Sequence, residues 1–195
     1  FQLDERRNPV RVAGVPPDMF SDSGQLWGNP LYDWEKMEQN GYNWWKMRMA
    51  FSAKLYDVIR IDHFIGIVHY YSIPAGDQTA ENGKWMDGPG EKLISALESA
   101  VADTKIIAED LGVATPAVRS LLQKKGYPGM KLLEFAFDSD GTNQNLPCHY
   151  EKNTVVYGGT HDNETLAGFF AGQKRSVCQL GRPRCFPAAG LSGTG

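Results

Sequence analysis

The sequence predicts an α/β fold of the (β/α)8-barrel type, in which parallel strands alternate with helices. From residue 43 onward, strand-like and helix-like segments follow one another. The carboxyl ends of the strand-like runs carry acids and histidines, at His63, Glu109-Asp110, Asp138 and His161-Asp162. No glycine-rich phosphate loop follows any of these runs. Alternation of this kind indicates parallel βαβ units whose function collects at the strand ends. A doubly wound open sheet alternates in the same way but carries such a loop, whereas polar strand ends suit the catalytic rim of a barrel.

Residues 1–42 are rich in Gly, Pro, Asp and Asn and show few periodic apolar faces, which predicts a long loop acting as a lid or binding element. From Asn43 to Asp57, the residues Trp44, Met47, Phe51 and Leu55 recur at helical spacing. Either Trp44 or Trp45 could stack on a sugar, but the spacing favours core packing for at least one of them. The run Val58 to Phe64 reads as a strand, Glu91 to Ala102 as a helix and Lys105 to Leu111 as a second strand. Thr115 followed by Pro116 is an N-cap and first-turn pair, and Gly126 a C-cap. They bound a short helix whose apolar face is Val118, Leu121 and Leu122. Met130 to Phe137 and Thr154 to Thr160 read as further strands. Residues 173–195 lack periodicity and are expected to form a disordered tail, or to result from a frameshift or truncation.

Length and charge narrow the classes of function. At 195 residues the chain suits one domain with a substantial core, and a net charge of −3 offers no basic surface for nucleic acid. Aromatic residues make up 11% of the chain, which leaves rings available to stack on sugars. Cys148, Cys178 and Cys185 form an odd set without metal-ligand spacing, so neither a disulfide framework nor a zinc site is expected. A cytoplasmic location, with no membrane partner and no obligate protein partner, is the expectation. The chain opens on Phe1 and is expected to have lost its true start.

Arg60 and Asp62 are two residues apart on a strand, so the pleat points both side chains the same way and the cation favours the ionised acid. An ordinary barrel salt bridge is the plainer alternative. Glu109, two residues after Ile107, should project into the mouth that Asp62 reaches. Repulsion and partial burial would raise the pKa of one acid, and a protonated acid beside an ionised one is the pairing glycoside cleavage uses. A helix N-terminal acid is the alternative, and it explains Asp110 better than Glu109. Asp162, within Thr160-His161-Asp162-Asn163-Glu164-Thr165, could bring a third carboxylate to the mouth. A rival arrangement takes Asp62, His63, His161 and Asp162 as ligands of a hydrolytic metal, but no close His pair of the His-x-His kind is present.

Taken together, Arg60-Ile61-Asp62-His63-Phe64, Ile107-Ala108-Glu109-Asp110-Leu111-Gly112 and Thr160-His161-Asp162-Asn163 resemble the three catalytic motifs of the 4-α-glucanotransferases, or amylomaltases, in glycoside hydrolase family 77. The likeness extends through Val12 to Asp18, Gly24 to Tyr32, Pro89 to Leu93 and Pro128 to Lys131, and covers about residues 1–172. It implies an incomplete barrel of the α-amylase clan, with the first and last strands missing, in which residues 1–172 are catalytic domain and 1–42 its lid and substrate wall. The implied nucleophile is Asp62, the general acid/base Glu109, and the acid holding the distorted sugar Asp162. Arg60, His161, His63, Trp27, Asn29, Pro17 and Asp18 are implied to bind substrate, with no metal or organic cofactor. The implied reaction is retaining transfer of α-1,4-glucan segments between maltooligosaccharides or glucans derived from starch and glycogen. An α-amylase-type hydrolase and an inactive glucan-binding fragment are the alternatives. Family members often carry an aromatic residue at the Met19 position, Arg at Ile65 and Thr at Gly158, and here the chain departs from them.

Overall fold

In the first of the chain's two units, Phe1–Tyr127, the elements begin with β1 (Arg11–Val15), β2 (Gln25–Pro30), α1 (Trp34–Gln39) and α2 (Asn43–Ala53). They continue through β3 (Val58–Ile61), α3 (Ile65–Val68), β4 (His69–Pro74), β5 (Lys84–Asp87), α4 (Glu91–Glu98), β6 (Lys105–Ala108) and α5 (Pro116–Lys125). The second unit, Pro128–Gly195, holds β7 (Gly129–Leu132), a 3-10 turn at Leu133–Ala136, β8 (Thr154–Tyr157) and α6 (Leu166–Gly172). The structure, a computed structural model, describes residues 1–18, 21–101, 103–112, 115–137 and 141–172. The expectations for Asp138 and for residues 173–195 lie outside them.

Strands β3 and β6 pair in parallel, from Val58 opposite Lys105 to Ile61 opposite Ala108. The crossover between them contains α4, whose Leu93, Ile94 and Leu97 are fully buried. These side chains share one cluster with Phe64, Ile106, Ala108 and Val118. Strands β7 and β8 form a second parallel pair, from Gly129 opposite Thr154 to Leu132 opposite Tyr157. The chain is thus α/β, with its parallel pairs formed by strands distant in sequence. The local signals around α5 are realised in full. The Thr115 Oγ1 accepts the Val118 N–H at 3.4 Å, Pro116 opens the helix, Gly126 closes it at φ 67°, and Val118, Leu121 and Leu122 are buried.

Residues 1–42 depart from the loop expectation. Strands β1 and β2 join β4 and β5 in an antiparallel sheet of order β2-β1-β4-β5. Every β2 residue from Gln25 to Asn29 is exposed, so the strand carries no alternation of buried and exposed residues to betray it. Gly14 in β1 lies so close to the Gln25 carbonyl and the Ile73 side chain that no Cβ fits there.

Helix α2 differs in phase from its expected face. Trp44, Met47, Phe51 and Leu55 are 46%, 60%, 63% and 60% exposed, while Met49 is buried with Trp45 and Ala53 packed against the core. Positions 45, 49 and 53 make an equally good stripe at i, i+4 and i+8, and burial follows that one. The strands also end sooner than expected. The first stops at Ile61 rather than Phe64, the second at Ala108 rather than Leu111, the third at Leu132 rather than Phe137 and the fourth at Tyr157 rather than Thr160. Helix α4 ends at Glu98 rather than Ala102. Among the described residues no helix is long and apolar enough to cross a membrane.

Candidate active site

Asp62 and Glu109 are the residues that directly follow the last paired positions of β3 and β6. Backbone hydrogen bonds carry the ladder past both strands. The Glu109 N–H donates to the Ile61 carbonyl at 2.9 Å, and the Phe64 N–H donates to the Glu109 carbonyl at 2.8 Å. The two acids therefore leave the pair side by side. Period-two geometry holds for Arg60 and Asp62 as the sequence predicts, with Arg60 Nη2 donating to Asp62 Oδ1 at 2.9 Å. The Asp62 carboxylate is 68% exposed, so water screens this ion pair and its contribution to stability is small.

Glu109 has a different environment. Its carboxylate is partly buried and accepts two backbone donors, the His63 N–H on Oε2 at 2.7 Å and the Leu111 N–H on Oε1 at 2.8 Å. Burial pushes its pKa above the ordinary glutamate value, against the lowering pull of those donors, and the Asp62 and Asp110 charges push it the same way. The expectation of one raised acid beside another carboxylate is met, with burial as the main cause.

His63 connects this pair to the antiparallel sheet. Its backbone is left-handed, at φ 46°, which aims its N–H at Glu109. Its imidazole meets the Trp27 ring edge-on, with centroids 4.8 Å apart and planes at 86°. Burial lowers the His63 pKa, partly offset by Asp62, so the ring stays neutral at neutral pH. Gly66 permits this packing, because a Cβ there would lie 2.7 Å from His63 Cδ2. The Trp27 Nε1 donates to Gln25 Oε1 at 3.0 Å. Asn29 lies exposed two residues further along β2. Pro17 and Asp18 are exposed in the β1–β2 connection, where Asp18 Oδ1 accepts the Ser21 N–H at 3.0 Å. Met19 lies outside the described residues. Ile65 is 7% exposed and belongs to the core.

In the second unit, β8 ends at Tyr157 and Asp162 stands in the turn beyond it. Asn163 organises that turn. Its Oδ1 accepts the Thr160 N–H at 2.8 Å and the Thr160 hydroxyl at 2.9 Å, while the Thr160 Oγ1 accepts the Asp162 N–H at 3.3 Å. His161 Nε2 lies 3.4 Å from Asp162 Oδ1, and both side chains are exposed. At Gly158 a Cβ would come 2.7 Å from Leu166 Cδ1, so a threonine there requires Leu166 to shift.

Glu134 is a buried acid at a strand exit that sequence reasoning did not single out. It follows β7 within the 3-10 turn and is 6% exposed. Its N–H donates to the Gly158 carbonyl at 3.1 Å, and its Oε1 has no hydrogen-bond partner. A single acid within Leu132-Leu133-Glu134-Phe135-Ala136-Phe137 was the available signal. Among the described residues no group of three or more His, Cys, Asp or Glu is placed to hold a metal ion.

A family model described as 4-alpha-glucanotransferase matches residues 1–184, which carries the likeness past Gly172. The 4-alpha-glucanotransferase of Clostridium butyricum is 49% identical over 166 residues, covering 85% of this chain and 34% of the relative. That of Synechocystis sp. is 50% identical over 179 residues, covering 90% of this chain and 35% of the relative. The chain spans about a third of the length of these curated relatives. Among solved structures, the amylomaltase of Streptococcus agalactiae in complex with acarbose superposes with a TM-score of 0.82 at 44% identity, covering 88% of this chain and 35% of that one.

Proposed function

The chain belongs to the 4-alpha-glucanotransferase family, and from that premise we propose that it is the catalytic portion of an enzyme that moves α-1,4-glucan segments between maltooligosaccharides, or between glucans of starch or glycogen, by a retaining double displacement. In the complete enzyme the parallel pairs become part of one closed (β/α)8 barrel, since a closed parallel sheet leaves no unpaired edge. The observation that carries the reading is the unequal pair of acids at the exit of β3 and β6. Asp62 is ion-paired with Arg60, and Glu109 holds its proton to higher pH because it is buried.

Asp62 attacks the anomeric carbon, forming the bond to sugar as the glycosidic C–O bond breaks, and Glu109 gives its proton to the departing oxygen. Glu109 then takes the proton from the 4-hydroxyl of an acceptor glucan, whose oxygen displaces Asp62 and returns the carboxylate. Retention requires the two carboxyl groups about 5–5.5 Å apart, a spacing consistent with acids on neighbouring parallel strands. Asp162 holds the distorted sugar, a role supported by its place in the exit turn of a second parallel pair. Trp27 and neutral His63 form an apolar wall beside the acids, which favours an acceptor sugar over water. Asn29, Pro17 and Asp18 line the approach, and His161 and Arg60 bind sugar hydroxyls next to the acids. The acarbose-bound amylomaltase supports a sugar chain as what the site takes.

Incubation of the complete enzyme with maltotriose tests the reading. Transfer yields glucose together with oligomers longer than the donor, and the appearance of shorter sugars alone identifies a hydrolase. Asp62→Asn abolishes both outcomes, and disproportionation that survives this change removes Asp62 as nucleophile.

A further inference from the structure

We propose that Glu134 is a positioning residue for Asp162, its buried Oε1 being the acceptor onto which the Gly159–Asn163 turn closes when sugar is bound. The inference rests on Asp162 taking part in the reaction proposed above. Glu134 extends the β7–β8 ladder through its N–H bond to Gly158, so its side chain stands level with the turn that leaves β8. A Cβ built on Gly159 would lie 3.0 Å from both Glu134 Cδ and Oε1, and 3.1 Å from Asn163 Cβ. The carboxyl group therefore packs directly against the backbone of Gly159. Asn163, on the other side of that glycine, holds Thr160, and Thr160 holds the Asp162 N–H. Contact thus runs without a break from the buried carboxyl to the exposed acid.

The unpartnered oxygen separates this from plain packing. A buried acceptor without a donor destabilises the fold, and an apolar side chain of similar size would fill the same space without that cost. A cost retained at a strand exit fits a functional demand. The first unit shows what such an acid does when its donors are in place. Glu109, at the corresponding exit of β6, takes an N–H from the turn leaving the neighbouring strand. Glu134 faces the turn leaving β8 in the same sense, and its donors there are the Gly159 and His161 N–H groups, since those of Thr160, Asp162 and Asn163 are held within the turn.

Glu134→Leu and Glu134→Gln in the complete enzyme, assayed on maltotriose with unfolding temperatures measured alongside, test the assignment. Leucine keeps the volume and removes the acceptor, so the expected result is unchanged or raised stability with kcat down about tenfold and KM within about twofold. Glutamine can turn its own carbonyl oxygen to the turn and is expected to restore most of kcat. A leucine variant with full kcat shows that Glu134 only fills space and overturns the proposal. Equal loss of stability and activity in both variants assigns Glu134 to the fold and overturns it as well. If the unaltered enzyme releases only shorter sugars, the transferase reading fails, and the same series read on hydrolysis still decides the role of Glu134.

Discussion

The two parallel pairs end in acids, but β3–β6 and β7–β8 treat them in opposite ways. At the first exit the partly buried acid, Glu109, has two backbone donors, and the exposed acid, Asp62, has a guanidinium. At the second exit the buried acid, Glu134, leaves an oxygen unpartnered, and the exposed acid, Asp162, has the His161 imidazole 3.4 Å from its carboxylate. Strand pairing alone therefore does not set the chemistry of a strand end. The donors in the following turn do, and the first exit is already assembled where the second is not.

The largest test of this contrast is Glu109→Gln, which removes the proton that the first exit holds. We expect transfer to fall roughly 10²–10⁴-fold, the range for loss of a general acid, measured as kcat on maltotriose. The same variant has a signature in stability. Because burial raises the folded-state pKa of Glu109 above the ordinary 4.5, the folded protein keeps a proton that the unfolded chain has already lost. Stability is then full below the unfolded pKa and declines as pH rises through the folded one. Urea midpoints of the parent should fall relative to Glu109→Gln as pH rises above 4.5, and parallel curves would show that burial does not govern this acid.

A smaller perturbation loosens the first exit without touching an acid. In Gly66→Ala the new methyl meets His63 Cδ2 at 2.7 Å, so the imidazole must leave Trp27. The expected cost is about 1–3 kcal/mol for overpacking, accompanied by a higher KM. Unchanged KM in a folded variant would separate the His63–Trp27 wall from sugar binding. The smallest effect is expected at the second exit. Asn163→Ala removes the Thr160 bonds at a cost of about 1 kcal/mol, and its thermal midpoint should drop less than that of Gly66→Ala. A larger drop would mean that the second exit is the better organised of the two.

Much of the first exit was legible in the sequence because its logic is local. Arg60 and Asp62 are related by the strand period, and the caps of α5 are written in Thr115, Pro116 and Gly126. What escaped depended on distant chain or on a choice between equivalent faces. Strand β2 is exposed along nearly its whole length and exists through pairing with β1, so nothing in Gln25 to Pro30 announces it. Helix α2 carries two apolar stripes, and only its packing against the β3–β6 layer shows that Trp45, Met49 and Ala53 are the inner one. The contact of Trp27 with His63 joins segments far apart in sequence. Glu134 was hidden because an acid inside an apolar run reads as a strand interruption rather than as a strand exit.

His63 uses its two ends for different tasks, its amide for Glu109 and its ring for Trp27. An alanine scan at this position would conflate the two, since alanine holds the left-handed backbone less readily than histidine does. Asparagine, which tolerates the left-handed region better than most residues, isolates the loss of the imidazole while leaving the backbone N–H on Glu109 where it is. That makes position 63 a place to vary chemistry only among residues content with that twist.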